Sequence, residues 1–325
     1  MNIITLNKSF EVSGFICDYI AYEYSECYNE AGTFYLEVGF SERGMELLAP
    51  EGYVVFENSL FVINERIAKN GKIIARGESF LSLFKNVILE KPTLFDGNPF
   101  ANLTKMMKLA QFNTLIFEVY SGIWNGGEYN DMFPYDCSVY SQLTSVSSLY
   151  GFGFKVYFVT SQKLVRVMMM AKNDKSLETS EDGVLISDRQ GDYYSCSYEN
   201  DVSNYKNYAH VPYGFDVNDN YVYVDVDWRK KGEIMRGMTV NIPKVFTTGS
   251  LESALRYQGE LALASHRRKR IYNVSLAKKT DLITGDICTF ESRKYGERCN
   301  TLVREKRTRE RNGAREIILT LECEE

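Results

Sequence analysis

Proline and histidine are scarce in this chain, at 6 and 2 of 325 residues, and the motifs that mark most enzymes are missing. Few prolines beside 23 Tyr and 19 Phe suit sheets packed face to face and argue against long disordered tails. With only His210 and His266, a catalytic histidine would need a partner nearby in space, and neither sits in a recognisable motif. There is no G-x-S-x-G elbow, H-E-x-x-H pair, Walker loop or G-x-G-x-x-G turn, which removes most support for hydrolase and nucleotide-enzyme readings. The seven cysteines are odd in number, scattered and never spaced C-x-x-C, so neither a disulfide framework nor a zinc site is indicated. The opening MNIITLNKSFEVSG has no basic region ahead of a long apolar run, and no uncharged apolar stretch approaches bilayer-spanning length. We therefore expect a protein that is not an enzyme, with no cofactor and no metal, made in the cytoplasm with reduced thiols and no ordinary signal peptide.

What the chain does have is core-forming residues and unevenly placed charge. Hydrophobic residues make up 44%, enough for two or three domains without covalent staples. Residues 229–315 carry 21 Lys and Arg against 9 Asp and Glu, leaving 17 against 34 for the rest. One end is basic, which suits a solvated charged surface, an acidic partner or nucleic acid. Three weak motif matches carry little. Ser82 and Lys85 fit S-x-x-K without its companion motifs. Asp216 to Asp227 has oxygen donors at several EF-hand positions, but Tyr221 replaces the glycine that permits the turn. Accidental carboxylate pairs of glycosidase type are a spatial matter that spacing does not establish.

The order of elements predicts α+β architecture, mainly β. From Phe10 to Leu89 strands and turns alternate; GTFYLEVGF alternates apolar and polar residues, and Asn70-Gly71 supplies the positive φ angles of a two-residue hairpin. SERGMELLAP reads as a short helical or turn connection, and ESFLSLFKNVIL as a short helix or last strand. After the Pro/Asp/Gly/Asn cluster EKPTLFDGNP, Asn98 and Pro99 open a helix with Phe100, Leu103, Met106, Met107 and Ala110 on one face. A second helix starts at Ser138, carries Val139, Leu143, Val146, Leu149 and Tyr150, and ends at Gly151. Strands return from Val184, with Val222, Val224 and Val226 opposite Asp225 and Asp227. Ser250 caps a third helix, about 250–266, with Leu251, Ala254, Leu255, Gln258, Leu261 and Ala262 as its packing stripe. The last two strands are joined by Asn312-Gly313. The expected division is 1–95, 96–186 and 187–325.

The two ends echo each other. GYVVFENS followed by FVINERIAKNGKII matches GDICTFES followed by LVREKRTRERNGAREII in the order glycine, strand, Phe-Glu, strand, Asn-Gly, strand. Asn-Gly is the favoured hairpin turn everywhere, so chance similarity competes with duplication of a β-module.

On the stretches GTFYLEVGF to KNVIL, SDRQGDYYSCSYENDVSNYKNYAHV and the closing helix with DLITGDICTF, the chain resembles the tail hub (baseplate hub) proteins of siphophages and related injection machines. The resemblance covers nearly the whole chain and rests on patterns of strands and turns. It implies two tube-like β-barrel modules flanking a mixed α+β middle domain, and a homotrimer presenting six similar modules to the hexameric ring of the tail tube or distal tail protein. Seating a threefold object on a sixfold ring requires two quasi-equivalent faces per subunit. It further implies a virion location at the tail tip or baseplate, contact with tail-tip, spike or fibre proteins, DNA met only by passage through the lumen, and no stable membrane insertion. Pairing of oppositely charged ends between neighbours assigns interface roles to Arg267, Arg268, Lys269 and Arg270, and to Arg304, Lys306, Arg307, Arg309 and Arg311. In the second group alternate residues share a face only if the segment is extended.

Two other classes stay open. Trp124, in the Gly-rich SGIWNGGEYND, is a candidate exposed-loop contact for sugar or protein, and with the aromatics and carboxylates it suits a carbohydrate-binding or glycan-cleaving protein. A nucleic-acid-binding module rests on the basic stretch alone, where only Tyr257, Tyr272 and Tyr295 interleave with the cations.

Overall fold

The computed structural model describes residues 2–89, 95–97, 101, 104–105, 117–121, 129–132, 137–162, 164–179, 183–215, 218–241 and 250–324. Of the helix expected after Asn98-Pro99, Ala101, Thr104 and Lys105 are described and are helical. Its apolar face, Phe100, Leu103, Met106, Met107 and Ala110, and Trp124 lie outside the described residues.

In the N-terminal region, Thr33–Gly39 buries Phe34, Leu36 and Val38 and turns the alternate residues out, the period-two signature of a strand with one wet face. It pairs on one side with Ala21–Cys27 and on the other with Lys72–Ser79. Lys72–Ser79 forms the Asn70-Gly71 hairpin with Ser59–Lys69, the two turn residues at φ 54° and 70°. Tyr53–Phe56, Ile3–Leu6 and Val12–Ile16 extend the sheet beyond. The short helix Glu42–Leu47 starts where the Ser41 hydroxyl accepts the Gly44 amide at 2.9 Å, and Phe80–Asn86 is a 3₁₀ helix.

The helix Val139–Tyr150 begins and ends as its sequence predicts. The Ser138 side chain accepts the Ser141 amide, and Gly151 closes the helix at φ 71°. Val139 and Leu143 pack into an apolar cluster with Phe80, Phe84, Phe152, Phe154 and Phe158. Phe152–Val159 pairs antiparallel with Leu164–Ala171, whose other edge takes Phe117–Ser121 in parallel.

The C-terminal sheet holds Tyr193–Asp201, Lys269–Leu276, Ala314–Cys323, Glu297–Arg311 and Asp286–Ser292 as successive antiparallel neighbours. Between the first two in sequence lies a separate three-stranded sheet, with Tyr208–Phe215 between Tyr221–Asp227 and Gly237–Thr239. The helix Leu251–Ser265, capped by Ser250, covers this small sheet. Val224 and Val226 are buried beneath it, as their alternation predicts. The helix buries Leu255, Gly259 and Leu263, a stripe rotated from the expected one. Gly259 is the reason: a Cβ there would stand 2.6 Å from Val226 Cγ2, so the helix lies closest to the sheet where it has no side chain.

The two large sheets share one neighbour order. Reading Ala21–Cys27, Thr33–Gly39, Lys72–Ser79, Ser59–Lys69, Tyr53–Phe56 gives the same antiparallel succession as Tyr193–Asp201, Lys269–Leu276, Ala314–Cys323, Glu297–Arg311, Asp286–Ser292. Each long strand carries a bulge, between Ile63 and Glu65 in one and between Val303 and Glu305 in the other. Counting from the bulges makes Phe34 the counterpart of Tyr272 and Phe56 that of Phe290. Within each half the two rings touch, Phe34 and Phe56 with centroids 5.8 Å apart, Tyr272 and Phe290 with centroids 4.4 Å apart. The same count sets Glu51, at φ 64°, on Gly285, at φ 95°. Their amides donate to Ile63 and Val303 at 2.8 and 3.0 Å. The halves differ where Ile3–Leu6 lies antiparallel to Tyr53–Phe56, while Leu185–Ser187 lies parallel to Asp286–Ser292.

The mainly β class holds, but the barrels expected at the two ends are not closed. All these large-sheet strands belong to one 17-stranded sheet, and no closed barrel is found among the described residues. Closure would bring the end strands of a half together, but the outer edge of Ala21–Cys27 is taken by Glu305 to Arg311 of the other half.

Candidate assembly surface

The strand Glu297–Arg311 joins the two sheets because it is long enough to serve both. Its leading residues pair with Asp286–Ser292, its later ones with Ala21–Cys27, and its other edge is occupied by Ala314–Cys323. Side chains alternate across this seam. Thr308 is buried, and Glu310 accepts the Tyr19 and Tyr22 hydroxyls at 3.1 and 3.0 Å beside the N-terminal core. On the opposite face Arg307 bonds Glu305 at 3.0 Å and lies 3.8 Å from Glu23, and Arg309 pairs with Glu316. The Tyr194 hydroxyl and the Arg309 guanidinium hold the Glu316 carboxyl below the usual carboxylate range, and Lys72 and Tyr35 do the same for Glu37. Arg311 ends the row, exposed.

The bulge turns Arg304 out of the alternation. Its guanidinium reaches Glu30 of the N-terminal region and Glu322 of the C-terminal sheet, each at 2.9 Å, and lies over the Tyr28 ring. Lys306 donates to the Leu282 carbonyl at 2.9 Å. At the matching position of the other half, Arg66 donates to the Met45 carbonyl. Where the chain enters the C-terminal sheet, Lys175 meets the fully buried Asp286 carboxylate at 2.8 Å.

The first group of predicted cations is elsewhere. Arg267 lies over the Trp228 ring at 5.6 Å, Arg268 donates to Asn200, Arg270 stands 3.8 Å from Glu297, and Lys269 is exposed in register with Asp201. Arg267, Arg268 and Arg270 line a cleft of ≈ 840 Å³ with Tyr205, Trp228 and Glu233. The nine cations thus fall in two places: the 304–311 group is built into the seam, and Arg267, Arg268 and Arg270 of the other group border the cleft while Lys269 stands beside them.

Sequence reasoning missed the carboxylates that answer the seam cations. Glu23 and Glu30 are remote in sequence from the cations they meet, whereas Glu316 and Glu322 lie on the next strand, across the Asn312-Gly313 hairpin, whose register was the one local signal. It also missed the contact of His210 Nδ1 with Asp225 at 2.7 Å. Among the described residues no group of three or more His, Cys, Asp or Glu side chains could hold a metal ion, and no helix is long and apolar enough to cross a membrane.

No protein-family model and no curated protein matches the chain. Solved structures do. A tail protein from Neisseria meningitidis superposes with TM-score 0.63 at 12% identity, covering 99% of this chain and 96% of its own. The fold is that of phage tail proteins. The 43 kDa tail protein of prophage MuSo2 from Shewanella oneidensis gives TM-score 0.63 at 9% identity over 99% and 98% of the two chains. Prophage tail protein gp18 from Listeria monocytogenes gives 0.57 at 13% over 98% and 94%. Coverage of this extent takes in both large sheets and the seam, so the tail-protein likeness belongs to the whole arrangement.

Proposed function

We propose that this protein is a structural tail hub, set at the distal end of a tail tube and joining it to the tail tip or baseplate. The observation that carries the reading is the shared neighbour order of the two large sheets, together with their matched bulges. A subunit with two similar sheets side by side presents two quasi-equivalent faces, so three subunits offer six to a hexameric ring of tube protein. Their polar outer faces would surround the passage for DNA, and the cleft beside Arg267 faces whatever tail-tip, spike or fibre protein attaches outside. Likeness to tail proteins over nearly the full chain supports this reading.

The test is to mix the purified chain with rings of tube protein and measure mass by light scattering, then to locate the tagged chain on particles by electron microscopy. A trimer that joins the rings, and a label at the tail's end, are expected. A chain that stays monomeric with rings present, or a label elsewhere on the particle, refutes the reading.

A further inference from the structure

The seam is an edge-to-edge strand pairing, and the chain carries a second, unfilled set of the same two edges. In the seam, the register is Glu305↔Cys27, Arg307↔Ser25 and Arg309↔Glu23, with Thr308 on Tyr24 between. Both edges have counterparts fixed by the bulges and the ladder. Ile63 pairs with Gly77, Gly77 with Phe34 and Phe34 with Tyr24; Val303 pairs with Leu321, Leu321 with Tyr272 and Tyr272 with Tyr198. The counterpart of 305–309 is therefore 65–69, and that of 23–27 is 197–201.

Neither counterpart edge is paired among the described residues. Ser59–Lys69 meets other strands along its Lys72–Ser79 side, and at its start through Tyr53–Phe56 and Tyr157. Tyr193–Asp201 pairs with Lys269–Leu276 only, and Tyr194 on it is 62% exposed. Rows of unpaired backbone N–H and C=O groups on an edge are a template for another strand. The two edges lie on opposite sides of the seam, so one chain does not join them to each other.

We propose that Glu65–Lys69 pairs antiparallel with Ser197–Asp201 of a second copy, in the register Glu65↔Asp201, Ile67↔Glu199 and Lys69↔Ser197. The inference rests on the two-sheet reading above and adds the partner and the register. The ladder ends at Ser197 for a visible reason. The Asn70-Gly71 hairpin turns two residues sooner after its bulge than the Asn312-Gly313 hairpin, and the next carbonyl, that of Cys196, already accepts the Tyr295 hydroxyl at 2.9 Å. The register places Glu65 opposite Asp201, with Arg76 beyond the first at 3.4 Å and Lys269 in register with the second. Each copy gives one edge and takes the other, a head-to-tail contact that forms a ring when its rotation closes. The seam supplies the same step inside every chain.

The experiment uses the full chain with Lys69→Cys and Ser197→Cys together, oxidised with copper phenanthroline and run on a non-reducing gel. Glu23→Cys with Arg309→Cys, the equivalent pair within the seam, is the geometric control and forms a bond inside one chain. Interchain bands are expected from the double variant and not from either single one. In a second arm, Glu65→Lys sets opposite charges across the contact and tightens self-association about threefold by sedimentation. No interchain band while the seam control closes, or weaker association of Glu65→Lys, overturns the proposal. Particle labelling decides the hub reading independently, so the two fail separately.

Discussion

Arg309 is where the seam is most open to a quantitative test. It lies between Glu316, with which it pairs, and Glu23, its register partner across the seam. Its side chain is 52% exposed, so each attraction is of the screened surface kind, about 0.5 kcal/mol. Arg309→Glu removes two such attractions and replaces them with repulsions of similar size, about 2 kcal/mol in total. Unfolding entropy near 2.1 cal/mol/K per residue gives about 0.7 kcal/mol/K for this chain, so the melting midpoint should fall by about 3 °C in a calorimetric scan. Glu316→Arg added to Arg309→Glu restores one of the two pairs and should recover about half of the loss, a coupling that a double-mutant cycle reads directly. In 1 M salt both effects shrink as the Debye length falls to about 3 Å. A neutral Arg309→Glu variant, or a double variant no better than the two singles added, would refute the charge account of the seam.

Other expectations follow from packing and from thiols. A Cβ on Gly77 would stand 1.7 Å from the Val62 carbonyl oxygen and 2.7 Å from the Phe34 ring, so Gly77→Ala must push hydrogen-bonded strands apart and should cost about 3 kcal/mol in urea unfolding. Gly71→Ala, in open space at φ 70°, should cost only about 1 kcal/mol from the left-handed backbone; equal effects of the two would contradict the packing shown. Burial pushes the Cys288 and Cys196 thiols up to about 11 and Cys27 up to about 12. Unfolded thiols ionise near about 8.5 while these stay neutral in the fold. Their contribution is therefore complete below that pH and is lost as pH rises towards the folded values. Denaturation midpoints should fall between about pH 9 and 11, less steeply for Cys288→Ala; a flat profile across that window would count against it.

The fold was legible where chemistry is local. Asn70-Gly71 and Asn312-Gly313 announced their hairpins through positive φ, and Ser138, Gly151 and Ser250 marked helix ends through their own hydrogen bonds or backbone. The seam was not legible. Pairing between Ala21–Cys27 and Glu305 to Arg311 joins segments remote in sequence, and register between such strands leaves no trace in either one. The bulges at Asn64 and Arg304 were equally silent, although one of them turns Arg304 from an expected member of an alternating face into the link between Glu30 and Glu322. The basic run 304–311 is extended, as a shared face requires. Which strand lies alongside it is a property of the fold, and the strand that does so belongs to the same chain.

Residues 202–268 interrupt one sheet between strands that are joined directly in its counterpart. Any assembly built by alternating the two halves bears this small capped sheet at every second position. Its wall and its outline then differ in rotational order by a factor of two. A component that grips the wall and one that grips the protruding sheets would count different numbers of sites on the same object, and a single polypeptide could serve as the adaptor between them.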